Sequence, residues 1–295
     1  MRLTLWSLFY LLLTVVLWIF EEFDPSRSDV SAILTYSPHF FYLLPLVLLG
    51  YGAFRRKNWA ALDVQALCWI FVLVYLMNFN IPLPQDCSGK TFRLFTYSTT
   101  SGKISPFALQ DTLNVHDPEV VLLQDTGSNQ RIYASMLQKV GWQVVQHQGL
   151  ITASRFAVVR QFALPEALIT DVRIGGRAVR VVNVQLPPVN KPLSFKEDAR
   201  MHQQAMLKIL SQSKDKYTLL AGNFNALPRG LWAQPLRKQF DEAIGLGLGY
   251  TFPAFLPVER KSQVWYNSGL CHTQHEVLPE RGSDHRAVQV LLNVN

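Results

Sequence analysis

Apolar residues fall in two regimes along this chain. Over the first eighty residues they form three long runs, Leu3 to Phe20, Pro38 to Phe54 and Leu62 to Phe79, whereas after Pro82 they alternate with polar residues as in a soluble domain. A helix that crosses a bilayer needs about 20 mainly apolar residues, each adding about 1.5 Å against a hydrocarbon core about 30 Å thick. The first two runs carry no charge and the third has Asp63 only at its entrance, so the pattern predicts three transmembrane helices within residues 1–80. Glu21, Glu22, Phe23 and Asp24 follow the first run where small residues would mark a signal-peptide cleavage site, which makes it a retained helix. Pro45 is compatible with a membrane helix, whose neighbours can satisfy the carbonyl it frees.

The basic loop residues set the orientation. Arg2 and the Arg55-Arg56-Lys57 loop belong on the cytoplasmic side, while the loop between the first two runs holds Glu21, Glu22, Asp24 and Asp29 against a single Arg27. Three crossings then put everything after Asn80 outside the cytoplasm, on the periplasmic or extracellular side. Ile81-Pro82-Leu83-Pro84 reads as a stiff exit, and residues 81–90 as a linker.

Residues 91–295 read as one globular domain. Strands are expected at Phe92 to Tyr97, Val120 to Gln124, Trp142 to Gln146, Gly149 to Ala153, Ala157 to Gln161, Tyr217 to Gly222 and Ala287 to Leu292. Leu168 to Ile174 and Arg177 to Val184 flank Gly175-Gly176, a hairpin signal. Helical periods cover Phe107 to Val115, Gln130 to Val140 and Glu197 to Leu210. Many strands with a few helices between them predict an α/β (α+β) four-layer sandwich, two packed mixed sheets flanked by helices.

Composition adds little to this. The hydrophobic content of 49% averages over the two regimes, and the net charge of +7 comes from Lys and Arg scattered through the soluble part. Lys208, Lys214 and Lys216 at a helix end read as dipole partners and solvated charges. Of three cysteines, Cys68 lies in the third apolar run; Cys87 and Cys271 are either a disulfide or two separately buried thiols. Cys271, His272 and His275 lack a nearby fourth ligand and read as a loop with incidental histidines.

Several strands end in ordered words: Arg93-Leu-Phe-Thr-Tyr-Ser98, Pro118-Glu-Val-Val-Leu-Leu-Gln-Asp125, Ile151-Thr-Ala-Ser-Arg155, Val181-Val-Asn-Val-Gln-Leu186, Leu219-Leu-Ala-Gly-Asn-Phe-Asn225 and Gly282-Ser-Asp-His285. Their order and spacing resemble the endonuclease/exonuclease/phosphatase superfamily, the DNase I-like fold, from about Thr91 to Asn295. With three membrane helices in front, the chain is also similar to the superfamily's membrane-anchored branch, associated with polyprenyl pyrophosphate hydrolysis. The resemblance implies metal-dependent phosphoesterase chemistry, in which a divalent cation neutralises phosphate oxygens and a base activates water.

Position by position the implied site is degenerate. Asp284, His285 and Asn225 match the family, and Arg155 matches an Arg expected to bind phosphate, as His285 also would. Asp125 stands for the metal-binding Glu and Ser98 for the Asn that shares the metal. Gln185 replaces a phosphate-contacting His, and Asn223 the Asp that orients water; an amide can hold a water but cannot accept its proton at neutral pH. The late Arg-Ile-Asp-His word corresponds to Arg260-Lys261-Ser262-Gln263. The implied cofactor is Mg²⁺ or Mn²⁺ if the protein is active, and none if it is not.

Three readings follow. One is a catalytically impaired protein acting in binding or assembly at the cell envelope, with the lipid bilayer as one partner and a lipid-linked phosphate or an envelope protein as another. The alternative is a phosphatase acting on a lipid-linked pyrophosphate, which a rearranged site using Asp125, Asp284 and Asp171 or Asp241 would restore. The third is a nuclease; with no aromatic and basic interleaving in the sequence, nucleic acid is not the expected partner.

Overall fold

A computed structural model of the chain describes residues 2–22, 28–83, 85–189, 195–230 and 232–295. Phe23, Asp24, Arg27 and Pro84, used above for topology, lie outside the described residues.

Four helices precede the sheets: α1 (Arg2–Glu22), α2 (Asp29–Tyr36), α3 (Leu43–Arg55, entered through a 3₁₀ turn His39–Tyr42) and α4 (Trp59–Phe71, extended by a π turn Val72–Leu76). Asn58 caps α4 by accepting the Ala61 N–H at 3.2 Å. Leu5, Phe9 and Leu12 of α1 point outward, while Tyr10, Leu46, Cys68, Val72 and Leu76 form the bundle's own core. Two of these segments, Arg2–Glu22 and Trp59–Leu76, are long and apolar enough to cross a membrane. The expected count of three is not confirmed: the second run begins after a 91° bend against α2, and it counts only if that bent pair is one span.

The rest is the expected sandwich. One sheet is ordered β11-β12-β1-β2-β4-β3, from β1 (Lys90–Ser98), β2 (Val120–Gln124), β3 (Gln143–His147), β4 (Leu150–Ser154), β11 (Leu270–Val277) and β12 (Val288–Val294). The other is ordered β5-β6-β7-β8-β10-β9, from β5 (Val158–Leu164), β6 (Ala167–Ile174), β7 (Arg177–Gln185), β8 (Thr218–Asn223), β9 (Asp241–Glu242) and β10 (Ser262–Tyr266). Each sheet has one parallel pair, β1 with β2 and β7 with β8, because a helix returns the chain between its members: α5 (Pro106–His116) in one, α7 (Phe195–Ser211) in the other. α6 (Gln130–Lys139) joins α5 on its outer face, and α8 (Gln234–Arg237) lies in the cluster on the other. Leu94, Leu122, Val181, Leu219 and Val290 fill the space between the sheets.

Local chemistry explains the punctuation. Ser105 caps α5 by accepting the Ala108 N–H at 3.1 Å, with Pro106 in the first turn, and Asp117 ends it in the left-handed region. Gly175 and Gly176 take the positive φ values that the β6–β7 turn demands. Elements absent from the sequence reading are α2, α8 and the strands β9 to β11. The loop expected around His272 and His275 is in fact β11, where His272 Nδ1 meets the Tyr266 hydroxyl at 2.9 Å. Cys87 and Cys271 are joined in a disulfide, Cα atoms 5.7 Å apart, tying the segment before β1 to β11.

The helices are docked on the sandwich. Glu21 is fully buried, with His39 Nε2 at 2.8 Å on one carboxylate oxygen and Arg229 Nε at 3.6 Å from the other. The backbones of Asn80 and Gly247 exchange two bonds of 2.9 Å.

Candidate functional site

Parallel pairing aligns strand ends. Ser98 stands opposite Gln124, and Gln185 opposite Asn223, so four of the substituted words finish at one end of the sandwich. Buried amides join the two sheets beneath that end. Gln124 Nε2 donates to Asn183 Oδ1 at 2.7 Å, and Asn183 Nδ2 donates to the carbonyls of Leu123 and Ile151 at 3.1 and 2.9 Å. Gly222 is required at the start of its word, since a Cβ there would come within 2.0 Å of the Val184 carbonyl oxygen.

The substituted side chains bind one another's backbones. Gln185 Oε1 accepts the Asp125 N–H at 2.8 Å, and Asn223 Oδ1 accepts the Asn225 N–H at 3.0 Å. Asn225 Nδ2 in turn donates to the Leu186 carbonyl at 2.7 Å. The Asp125 carboxylate accepts the backbone N–H of Ser101 at 2.8 Å, with the Ser101 hydroxyl at 3.3 Å. These bonds fix the orientation of the three side chains.

The terminal pair is held by hydroxyls. Ser283 Oγ donates to the Ser98 carbonyl at 2.6 Å and accepts the His285 N–H at 3.0 Å. Thr100 lies 2.7 Å from Ser283 Oγ, donates to the Asp284 carboxylate, and accepts the Asp284 N–H at 3.1 Å. His285 Nδ1 lies 3.3 Å from Ser262 Oγ, so the late word does meet the terminal pair. Burial pushes the His285 imidazole down to about 4; Asp284 opposes this and Lys261 reinforces it.

Arg155 is not part of this cluster. Ser154 pairs with Val120, five residues and so roughly 17 Å by strand rise from Asp125 at the other end of β2. There Arg155 Nη2 binds Asp117 at 2.7 Å and its guanidinium lies over the Trp142 ring. Arg155 is carried to that end because β4 runs antiparallel to β2. Asp171 and Asp241 do not converge on the site either: Asp171 is bidentate with Arg180 at 2.8 and 2.9 Å, and Asp241 sits on β9 at the sheet edge. Thr100 and Ser101 are not among the sequence expectations, although the hydroxyl run Ser98-Thr99-Thr100-Ser101 points to them.

The residues present do not fit a divalent cation. Among the described residues no three His, Cys, Asp or Glu side chains gather to hold a metal ion. Asp125 lines a cavity of about 370 Å³ with Gln148, Glu166, Gln185 and Leu186, so its lining includes one other acid, Glu166. A roomier groove of about 470 Å³ between α5 and α6, lined by Phe107 and Ile132, lies apart from these strand ends and holds none of the candidate groups.

A model of the Endonuclease/Exonuclease/phosphatase family matches residues 98–285. No curated protein sequence matches the chain. Solved structures share its fold at low identity. The 3′ phosphatase NExo from Neisseria, bound to product DNA hairpin, is 18% identical with a TM-score of 0.56, covering 68% of this chain and 98% of that one. An AP endonuclease from Archaeoglobus fulgidus is 16% identical with a TM-score of 0.56, covering 68% and 98%. The human Nocturnin catalytic domain with bound sulfate anion is 12% identical with a TM-score of 0.56, covering 71% and 97%.

Proposed function

We propose a function from one premise: the chain belongs to the endonuclease/exonuclease/phosphatase family. That family is generally metal-dependent. In our reading this member is anchored in a membrane by residues 1–80, carries residues 91–295 on the periplasmic or extracellular side, and has lost phosphoesterase chemistry. Its domain then acts by binding, recognising a lipid-linked phosphate or an envelope protein. The observation that carries this reading is the engagement of Gln185, Asn223 and Asp125 with neighbouring backbone, where among the described residues no three His, Cys, Asp or Glu side chains gather to hold a metal ion and an amide, Asn223, takes the place of a base. Outward apolar side chains on α1, the basic Arg55-Arg56-Lys57 loop and the Cys87–Cys271 disulfide support the anchoring and the side.

A second reading, a phosphatase on a lipid-linked pyrophosphate, is favoured by one observation. Asp125 and Asp284 are held by consecutive residues, Ser101 and Thr100, so two carboxylates share one turn. Calorimetric titration of the full chain in nanodiscs with Mg²⁺ and Mn²⁺, followed by phosphate release from a polyprenyl pyrophosphate, separates the two. The same assays are run on a variant carrying Ser98→Asn, Asp125→Glu, Gln185→His and Asn223→Asp. We expect neither metal binding nor turnover from the natural protein, and turnover by the natural protein overturns the binding reading in favour of the phosphatase.

A further inference from the structure

The chain between β9 and β10 makes two attachments. Its first half belongs to the helices: Asn80 exchanges backbone bonds with Gly247, Asn80 Nδ2 donates to the carbonyls of Ile244 and Gly245 at 3.1 and 3.0 Å, and Leu248 and Tyr250 pack against the bundle of Val72 and Leu76. Its second half turns back on itself, with Phe252 and Glu259 each donating an N–H to the other's carbonyl at 2.9 Å. The tip enclosed, Pro253-Ala-Phe-Leu-Pro-Val258, contains no charged or hydrogen-bonding side chain. Phe255 and Leu256 at its end are 77% and 63% exposed, and Leu246 on the first half is 74% exposed.

The base of the same tip stands on the terminal pair of the site. The Phe252 ring centre is 5.0 Å from that of His285, and the Ala254 N–H donates to the Asp284 carbonyl at 2.7 Å. Two cations flank it: Arg286 Nε donates to the Ala254 carbonyl at 2.7 Å, and Lys261 Nζ lies 3.8 Å above the Phe252 ring while pairing with the Glu259 carboxylate at 3.0 Å. Five residues separate Tyr250 from Phe255, so the tip cannot lie more than about 18 Å from a residue embedded in the helix cluster.

A single exposed apolar side chain needs no explanation. Two adjacent bulky ones are different when backbone bonds hold them out from the sandwich, cations flank them and the strand beneath is fastened to membrane-competent helices. That arrangement matches an interfacial membrane contact, in which apolar and aromatic groups enter the head-group boundary and Lys or Arg meets anionic lipid.

We propose that the Phe252–Glu259 hairpin is a second membrane contact, whose tip enters the bilayer interface beside the helices and sets the His285 end of the cleft against anionic phospholipid head groups. This rests on the membrane-anchored reading above. The cleft then faces ligands that travel in the bilayer, and soluble ligands reach it less readily.

The test uses the full chain with Cys68→Ala, reconstituted without reductant into phosphatidylcholine vesicles, with or without phosphatidylglycerol and nitroxide-labelled lipid. An environment-sensitive fluorophore is placed on Phe255→Cys, on Leu12→Cys in α1, or on Phe107→Cys of α5, and unchanged thermal unfolding shows that each variant has folded. We expect nitroxide quenching and a blue shift at Leu12 and Phe255, deepened at Phe255 by phosphatidylglycerol, and none at Phe107. Quenching at Leu12 but not at Phe255 overturns the hairpin contact and leaves the anchor standing. Absence of quenching at both overturns the anchor itself. Quenching at Phe255 that ignores phosphatidylglycerol overturns the assignment to anionic head groups, and absence of quenching at Phe255 together with cross-linking between two unlabelled Phe255→Cys chains overturns the bilayer contact in favour of a second copy.

Discussion

The side-chain oxygen of Gln185 accepts the backbone N–H of Asp125 at 2.8 Å, joining the end of β7 in one sheet to the residue after β2 in the other. The Gln185 side chain thereby clasps the two sheets together. Replacing it by Ala leaves that N–H without its acceptor, so Gln185→Ala should lower unfolding stability by about 1 kcal/mol, and Gln185→Glu, which keeps the acceptor, by less. Denaturant unfolding of the two variants measures the difference.

Ser262→Asp restores a carboxylate beside His285 Nδ1, now 3.3 Å from the Ser262 hydroxyl. A negative charge at that distance favours the imidazolium. The His285 titration should move up from about 4 towards its ordinary value, as followed by NMR of the ring protons. No upward movement would mean that burial alone controls this histidine.

Acid should weaken the fold through its buried histidines. Burial lowers His285 and His275 to about 4 and His202 to about 3, against an ordinary value of 6.5. Between those values the unfolded chain binds protons that the folded one refuses, so stability is full above about pH 6.5 and falls as pH drops towards 4, by on the order of 3 kcal/mol for a histidine shifted this far. His202→Gln, which cannot titrate, should make the fall shallower in a pH series of thermal unfolding.

The Cys87–Cys271 disulfide closes a loop of 184 residues. Its loss in a Cys87→Ser, Cys271→Ser variant should cost about 2 to 4 kcal/mol. The parent should show the same loss on reduction, read from unfolding with and without a thiol reductant; equal stability in both conditions would show that the bond constrains nothing.

Arg229 is the buried counter-charge to Glu21 at the junction of α1 and the sandwich. Arg229→Ala leaves a buried carboxylate that, among the described residues, keeps His39 and Tyr42 as side-chain partners, at a cost of about 3 to 5 kcal/mol. Limited proteolysis should then cut the segments around Gly247 faster than in the parent, because they are secured to the same junction.

The sequence by itself determined the apolar runs, most of the strands, the Gly175-Gly176 hairpin and the ordered words that mark the family. These depend on periodicity and on turn residues, which act over a few positions. Residue type alone also places amides, Gln185 and Asn223, at the ends of two strands. Only the tertiary structure decided which of these residues meet. Arg155 follows a strand just as Asp125 does, yet β4 runs antiparallel to β2 and carries it to the far end of the sheet. Ser262 meets His285, and Cys87 meets Cys271, through pairings between segments 23 and 184 residues apart. The β9–β11 region gave no clear period, since β9 has two residues and β10 is buried throughout. A strand's direction and partners are fixed by the whole sheet's packing, and no local pattern records them.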